Sequence, residues 1–152
     1  MKLKKILSEK SKGGDVYTIR ASATLKDAVA RMCEHNIGCL LVTDPGNPDK
    51  FVGIVAQTDI IRKLNSDGDF HQIKIEDVMV RQLIVATGED EVEYILKVMK
   101  RHKIHHIPVI ENGKVSGVIS IIDIIGSMHE EDEIKIHYLS DYMGGTYGSN
   151  VF

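Results

Sequence analysis

The hydrophobic positions of the chain repeat at helical spacing in two segments that lie 67 residues apart. Residues 24–37 and 91–104 each carry apolar side chains at positions i, i+3, i+4 and i+7, which is the pattern of an amphipathic helix. The matched apolar residues are Leu25, Ala28, Val29 and Met32 in the first segment and Val92, Ile95, Leu96 and Met99 in the second. The pattern predicts two equivalent helices, and capping-box sequences at 24–27 and 90–93 indicate where they start.

Short β-rich runs surround each predicted helix in the same order. One run precedes the helix, and two runs separated by a turn follow it, as is typical of a β-hairpin. The runs are 16–19, 39–42 and 51–55 in the first copy, and 83–86, 107–110 and 115–119 in the second. A further helix closes each copy, at about 57–64 and 121–128. The sequence therefore predicts one β-α-β-β-α unit written twice.

This duplication predicts an α/β (α+β) fold of tandem repeats related by a pseudo-twofold axis. A unit of roughly 60 residues has too little core to be stable alone, so we expect the sheets of the two copies to pack against each other. Two equivalent clefts then form between the copies. The expected division is a short helical N-terminal segment at 1–12, a first repeat at 13–66, a linker with a short turn at 67–79, a second repeat at 80–128, and a C-terminal helix with a Gly-rich tail at 129–152.

The C-terminal region carries its own amphipathic pattern. Acidic residues at 130–133 favour a helix start, because negative charge is stabilised at a helix N-terminus. The apolar residues of this region form a narrow stripe, made of Ile134, Tyr138, Leu139 and Tyr142. Such a stripe needs a partner, and we favour a second subunit over the body of the same chain.

Composition narrows the class of protein. A hydrophobic content of 43% and a charged content of 27% are typical of a soluble globular protein. The net charge of -3 gives no reason to expect a nucleic acid or an anionic membrane as a partner. No apolar run approaches the roughly 20 residues that span a bilayer, and the N-terminus does not have the pattern of a signal peptide. We therefore expect a cytoplasmic protein in which Cys33 and Cys39, both at apolar positions, are buried free thiols.

A short motif follows each predicted hairpin and carries a family resemblance. Residues 117–123, Gly-Val-Ile-Ser-Ile-Ile-Asp, resemble the G-h-h-[ST]-x-x-D signature of CBS domains, the regulatory repeats named after cystathionine β-synthase. Residues 53–59, Gly-Ile-Val-Ala-Gln-Thr-Asp, resemble it in the first copy, and the strand at 105–109 is similar to the family's strand that ends in Pro-Val. The resemblance covers about 13–128 and is to a stand-alone CBS pair.

The resemblance implies a module that binds adenine nucleotides in the clefts between its repeats. AMP is the first expectation, followed by ADP or ATP, and relatives also bind S-adenosylmethionine or dinucleotides. It further implies a non-catalytic role, a homodimer of CBS pairs, and an unidentified protein that the module regulates.

The two motif carboxylates suit this ligand chemically. A carboxylate accepts hydrogen bonds from both neighbouring hydroxyls of a ribose. Asp59 and Asp123 each fall at a helix start, where unpaired amides and the helix dipole favour a phosphate. Ser120 adds a hydroxyl that can bond the phosphate or the ribose. The alternative is purely structural, since an Asp three residues after a Ser is often only a helix cap.

The family pattern assigns residues to the two expected clefts. The main cleft is expected to contain Asp123, Ser120, His105, His106, Val118, Tyr17, Ile37 and Gly38. The second cleft is expected to be weaker and to contain Asp59, Thr58, Ile54, Ile84 and Ile104. It is expected to be weaker because Ala56 stands where the signature has Ser or Thr, and Thr58 is shifted by two residues.

The histidines leave several alternatives open. His105 or His106 can donate to a phosphate, or can simply be packed or exposed to solvent. A metal site made of His102, His105 and His106 is a weaker alternative, because adjacent residues on a strand face opposite ways and cannot both bind one ion. A ligand-free interaction scaffold remains the alternative function. An enzyme finds no support, because the sequence offers no nucleophile with a base and no Gly-rich phosphate loop.

Overall fold

The computed structural model describes residues 1–10, 16–66, 68–129 and 135–143. The first repeat contains β1 (Thr18–Arg20), α2 (Leu25–His35), β2 (Cys39–Asp44), β3 (Asn47–Ala56) and α3 (Gln57–Ser66). The second contains β4 (Ala86–Thr87), α4 (Val92–His102), β5 (His106–Glu111), β6 (Lys114–Ser120) and α5 (Ile121–Met128). Outside them lie α1 (Leu3–Glu9), a short 3-10 turn (Ile75–Asp77) and α6 (Leu139–Met143). The duplicated β-α-β-β-α order is confirmed.

Each repeat forms its own three-stranded sheet with the same topology. The strand orders are β1-β2-β3 and β4-β5-β6, with the first pair parallel and the second pair antiparallel in both sheets. Alternation along β2 divides its side chains between two faces. Leu40 and Val42 belong to the core of the first repeat, whereas Cys39 and Leu41 are buried outside either core. Leu41 lines the same cavity as Val118 of β6, so the two sheets face each other.

The four hairpin strands contain their predicted runs and extend beyond them, whereas the two strands that precede the main helices were predicted with the wrong bounds. Strand β1 covers Thr18–Arg20 instead of 16–19, and β4 covers only Ala86–Thr87 instead of 83–86. Ala86, the last residue of the predicted run, pairs with Val109 of β5, and Thr87, just beyond the run, pairs with Ile110. Apolar β-rich residues that lack a neighbouring strand cannot form a ladder, so Leu83 and Ile84 remain irregular backbone and line a cavity.

The two predicted capping boxes had different outcomes. The first is confirmed, because the Asp27 N–H donates to Thr24 Oγ1 at 3.3 Å and the Thr24 N–H donates to Asp27 at 3.0 Å. The second, Asp90 with Glu93, was wrong. The carboxylate of Asp90 instead accepts the N–H of Thr87 at 2.7 Å, and the helix cap is Glu91 without a side-chain hydrogen bond.

The long C-terminal helix was also wrong within the described residues. Residues 135–138 are not helical, and α6 starts at Leu139. The Tyr138 N–H donates to the Asp141 carboxylate at 3.3 Å, an interaction of a helix start, and so no helix continues through Tyr138. The predicted stripe is therefore not one helical face, and Ile134 and the Gly-rich tail lie outside the described residues.

The segment before each repeat completes the core of the other repeat. Leu3 and Ile6 of α1 are buried in the core of the second repeat, and the Leu3 N–H donates to the Asp90 carbonyl at 3.0 Å. Ile75 and Met79 of the linker are buried in the core of the first repeat. This exchange carries the residues that follow α1 to the edge of a cleft between the repeats.

Candidate functional site

Two cavities lie between the repeats, and each contains one of the motif carboxylates. The cavity of about 820 Å³ that contains Asp123 is called the Asp123 cleft, and that of about 740 Å³ with Asp59 the Asp59 cleft. Both volumes are within the range of small-molecule sites. Of the residues expected in the main cleft, the Asp123 cleft is lined by Asp123, Ser120, His106, Val118, Tyr17, Ile37 and Gly38. The Asp59 cleft is lined by all five expected there: Asp59, Thr58, Ile54, Ile84 and Ile104.

His105 was expected in the wrong cleft. It lines the Asp59 cleft, whereas His106 lines both. Both histidines therefore line the Asp59 cleft, and only His106 reaches the Asp123 cleft. Within the described residues, no three His, Cys, Asp or Glu side chains lie close enough to hold a metal ion.

Asp123 makes three hydrogen bonds, two that its carboxylate accepts and one that its backbone N–H donates. Its Oδ2 accepts the Ser120 N–H at 2.8 Å and Lys10 Nζ at 2.8 Å. The Asp123 N–H donates to Ser120 Oγ at 3.1 Å, which completes a capping box. Burial alone would raise the pKa of Asp123, but the hydrogen bonds from Lys10 and Ser120 outweigh it and lower that pKa. The carboxylate is therefore ionised and already paired.

Lys10 reaches this cleft from the end of α1. Its ammonium bonds the Val118 carbonyl at 2.7 Å as well as Asp123. Both partners belong to the second repeat, on whose core α1 packs. Lys10 thus occupies a donor position at the carboxylate that was expected to meet a ribose hydroxyl.

Asp59 has a simpler environment at the equivalent position. Its Oδ2 accepts the Ala56 N–H at 2.8 Å, which corresponds to the bond from Ser120 to Asp123. Ala56 has no hydroxyl to complete the capping box. Among the described residues Asp59 has no ion-pair partner, so its carboxylate is open to a ligand.

The two clefts share a wall made of Gly38, Cys39 and His106. A Cβ atom on Gly38 would lie 3.3 Å from His106 Cε1, so the absence of a side chain permits this close approach. Burial lowers the pKa of His106, with His105 and Lys10 adding to the effect and Asp123 opposing it. Burial also raises the pKa of the Cys39 thiol to about 12. Neither side chain is charged at neutral pH. The predicted burial of Cys33 was wrong, because this side of α2 is exposed.

A family model for the CBS domain matches the chain twice, over residues 9–66 and 75–130. The chain belongs to the CBS domain family. The two matches correspond to the two repeats of the fold, so the protein is a CBS domain pair, and the predicted resemblance is confirmed.

Known proteins similar to this CBS pair include a curated relative and solved structures. The chain is 32% identical over 141 residues to the mitochondrial CBS domain-containing protein CBSX3 of Arabidopsis thaliana, covering 91% of this chain and 68% of that protein. A CBS-domain containing protein from Agrobacterium tumefaciens has a TM-score of 0.79 at 25% identity, over 85% of this chain and 100% of that one. The CBS domain pair of protein MJ0100, in complex with 5′-methylthioadenosine and S-adenosyl-L-methionine, has a TM-score of 0.70 at 26% identity, over 84% and 95%.

Sequence reasoning missed three cationic residues that line the clefts of this CBS pair. Lys10 lines the Asp123 cleft, and Arg62 and Lys103 line the Asp59 cleft. Arg62 had a detectable signal, because it follows Asp59 by three residues and so shares its face of α3. Lys10 had none, since only the packing of α1 on the distant second repeat brings it to the cleft. The helices within the described part of the chain are too short or too polar to cross a bilayer.

Proposed function

We propose that this CBS pair is a non-catalytic regulatory module that binds an adenine nucleotide, or a related adenosyl ligand, between its repeats. The observation that carries the proposal is the composition of the clefts. Each combines a helix-start carboxylate from one repeat with apolar residues from the other. Asp123 shares its cleft with Tyr17 and Ile37, and Asp59 shares its cleft with Ile84 and Ile104.

The chemistry of these groups suits an adenosyl ligand. A carboxylate can accept both ribose hydroxyls, and an apolar slot between strands can hold the adenine ring while backbone groups bond its edge. MJ0100, which carries two adenosyl compounds on a similar fold, supports this ligand class. AMP, ADP and ATP are the nucleotides we propose first, with S-adenosylmethionine and dinucleotides as further candidates.

A ligand-free interaction scaffold is the second candidate, and a specific observation favours it. Lys10 already forms an ion pair with Asp123, and Ala56 lacks the hydroxyl group of the family signature. On this alternative the ion pair replaces the ligand in one cleft, and the other cleft has lost part of its site.

We also propose a homodimer that regulates another protein. Ile61 and Ile125 occupy equivalent positions on α3 and α5 and are 65% and 47% exposed, and Ile122 is 71% exposed. Exposed apolar residues at matched positions of the two repeats are typical of an interaction surface. The free thiols of Cys33 and Cys39 support the cytoplasm as the compartment. Residues 13–66 and 80–128 are the domain limits we propose.

Thermal unfolding in the presence of ligands tests the proposed function. A ligand that binds only the folded state at 100 times its Kd stabilises the protein by about 2.7 kcal/mol. We expect AMP, ADP, ATP or S-adenosylmethionine at millimolar concentration to raise Tm. The double variant Asp59→Asn with Asp123→Asn should lose most of this shift.

Asp49→Asn is the matched control, because Asp49 is exposed in the β-hairpin and lines neither cleft. The control should keep the full shift. The absence of any shift in the unsubstituted protein with all of these ligands would leave the scaffold as the better account.

A further inference from the structure

The pseudo-twofold axis allows the two clefts to be compared position by position. Lys103 ends α4 in the left-handed conformation at φ 54°, and Asn36, 67 residues earlier, ends α2 at φ 51°. Arg62 of α3 corresponds to Gly126 of α5, which lies 64 residues later in the chain. The same offset relates Asp59 to Asp123. Lys103 and Arg62 line the Asp59 cleft, and Asn36 and Gly126 line the Asp123 cleft. The same two positions are therefore cationic in one cleft and uncharged in the other.

The net charge of the Lys, Arg, Asp and Glu residues that line each cleft therefore differs in sign between the two clefts. The Asp59 cleft has two cationic side chains, Arg62 and Lys103, against the single carboxylate of Asp59. Neither cation has an ion-pair partner among the residues that the structure describes. They come from opposite repeats, so a ligand in the cleft can contact both.

The Asp123 cleft has the opposite balance. Its one Lys or Arg among the described lining residues is Lys10, against the carboxylates of Glu9 and Asp123. Lys10 is bound to Asp123 at 2.8 Å and to the Val118 carbonyl at 2.7 Å, so its charge is already paired with a carboxylate. The histidines do not offset this difference in charge. His35 and His102 are equivalent and line one cleft each, His106 lines both, and His105 lines only the Asp59 cleft.

We propose that the Asp59 cleft is the site of a nucleoside diphosphate or triphosphate, whose phosphates bind Arg62 and Lys103, and that the Asp123 cleft does not accept a polyphosphate. This inference rests on the proposed adenosyl-binding function and assigns a ligand charge to each cleft. The signature residues predicted that the Asp123 cleft binds the nucleotide more tightly, because Ser120 and Asp123 form the more complete motif. The inference reverses this order for a polyphosphate, because the Asp123 cleft is the less cationic of the two. A polyphosphate carries several negative charges, and its binding is governed by free cations more than by one hydroxyl.

Calorimetric titration with adenosine, AMP, ADP and ATP, without divalent cations, tests this assignment. In the unsubstituted protein we expect the affinity to rise with the number of phosphates. Arg62→Gln and Lys103→Asn should each weaken ATP binding about tenfold, the size of one charge-assisted hydrogen bond, and leave adenosine binding unchanged. Asn suits position 103, because Asn36 already adopts this conformation in the first repeat.

Lys114→Gln is the control for a general loss of positive charge, since Lys114 is exposed at the tip of the second hairpin and lines neither cleft. It should bind ATP like the unsubstituted protein. Lys10→Met supplies the opposing test. If Lys10→Met weakens ATP binding tenfold while Arg62→Gln and Lys103→Asn do not, the polyphosphate lies in the Asp123 cleft and the inference is overturned.

A transplant of the two cations provides a gain-of-function test. Asn36→Lys with Gly126→Arg gives the Asp123 cleft the residues of the Asp59 cleft, and a Cβ on Gly126 would meet no atom within 4 Å. We expect the ATP stoichiometry to rise from one to two per chain, and a stoichiometry that stays at one would contradict the role of these positions. If adenosine binds but ATP binds no better, only this inference fails, whereas the failure of every adenosyl ligand to bind refutes the proposed function itself.

Discussion

At the scale of single residues, Asp59 and Asp123 show how equivalent positions acquire different roles. Both accept a backbone N–H at 2.8 Å from the residue that precedes their helix. Asp123 also holds Lys10, and its pKa is lowered, whereas Asp59 has no ion-pair partner among the described residues. The sequence identified both carboxylates from their motif. It did not indicate their difference, because the partner of Asp123 comes from a segment 113 residues away.

Lys10→Met tests the ion pair through its dependence on pH. The folded-state pKa of Asp123 is lowered, so the pair contributes stability above the unfolded-state pKa of about 3.9 and loses it as pH falls through the lower folded-state value. The pair is half-buried, and we expect a loss of about 1 kcal/mol at pH 7.

Urea unfolding of both proteins at pH 7 and at several values below pH 4 measures this difference. The gap between the two free energies of unfolding should close as the pH falls. A gap that is equal at all pH values would mean that Lys10 acts through packing of its aliphatic chain and not through its charge.

At the scale of elements, features that depend on local interactions were predicted from the sequence, and features that depend on long-range contacts were not. The helices and hairpins were predicted because periodicity and turns are local signals. The run at 83–86 was placed too early, because only Ala86 of the run pairs with β5 and this long-range pairing has no signal in the local pattern. The Asp90 cap was misplaced, since Thr87 competes for the same carboxylate. No local sequence pattern indicated that α1 packs on the second repeat and the linker packs on the first.

The glycines of the repeated elements offer a matched pair of substitutions. A Cβ on Gly53 of β3 would lie 2.8 Å from Met79 Sδ and 2.9 Å from the Val80 carbonyl oxygen, which belongs to the backbone. Gly53→Ala should therefore cost about 1–3 kcal/mol through overpacking. Gly126→Ala has free space in α5 and should stabilise the protein by about 0.5–1 kcal/mol, as Ala is the better helix former.

Chemical denaturation of the two variants under the same conditions measures both effects. If Gly53→Ala is neutral, the contact between β3 and the linker is looser than the structure indicates. If Gly126→Ala is destabilising, the helix surface at Gly126 is covered by another element.

At the scale of the whole molecule, the exchanged segments connect two separate cores. One core contains residues of α1 with the second repeat, and the other contains linker residues with the first repeat. Each core therefore includes chain from both sides of the pseudo-twofold axis. The clefts lie between these cores, so a ligand that contacts both repeats stabilises their relative position.

Leu3→Ala tests whether the two repeats unfold together. Leu3 is fully buried in the core of the second repeat, and we expect a loss of about 2–4 kcal/mol from its truncation. Because the cores are connected by exchanged chain, hydrogen exchange should show reduced protection in the strands of both repeats.

Leu139→Ala is the control, since Leu139 is 72% exposed and its truncation should leave protection unchanged. A loss of protection confined to the second repeat would show that the repeats unfold independently.

The most direct test of the central claim is a binding titration of adenosine, ATP and S-adenosylmethionine into protein that has been unfolded and refolded to remove any bound compound. We expect saturable binding of at least one of them in the clefts, and we expect the double variant Asp59→Asn with Asp123→Asn to lose it. No saturable binding at millimolar concentration, or equal binding by the double variant, would contradict the claim.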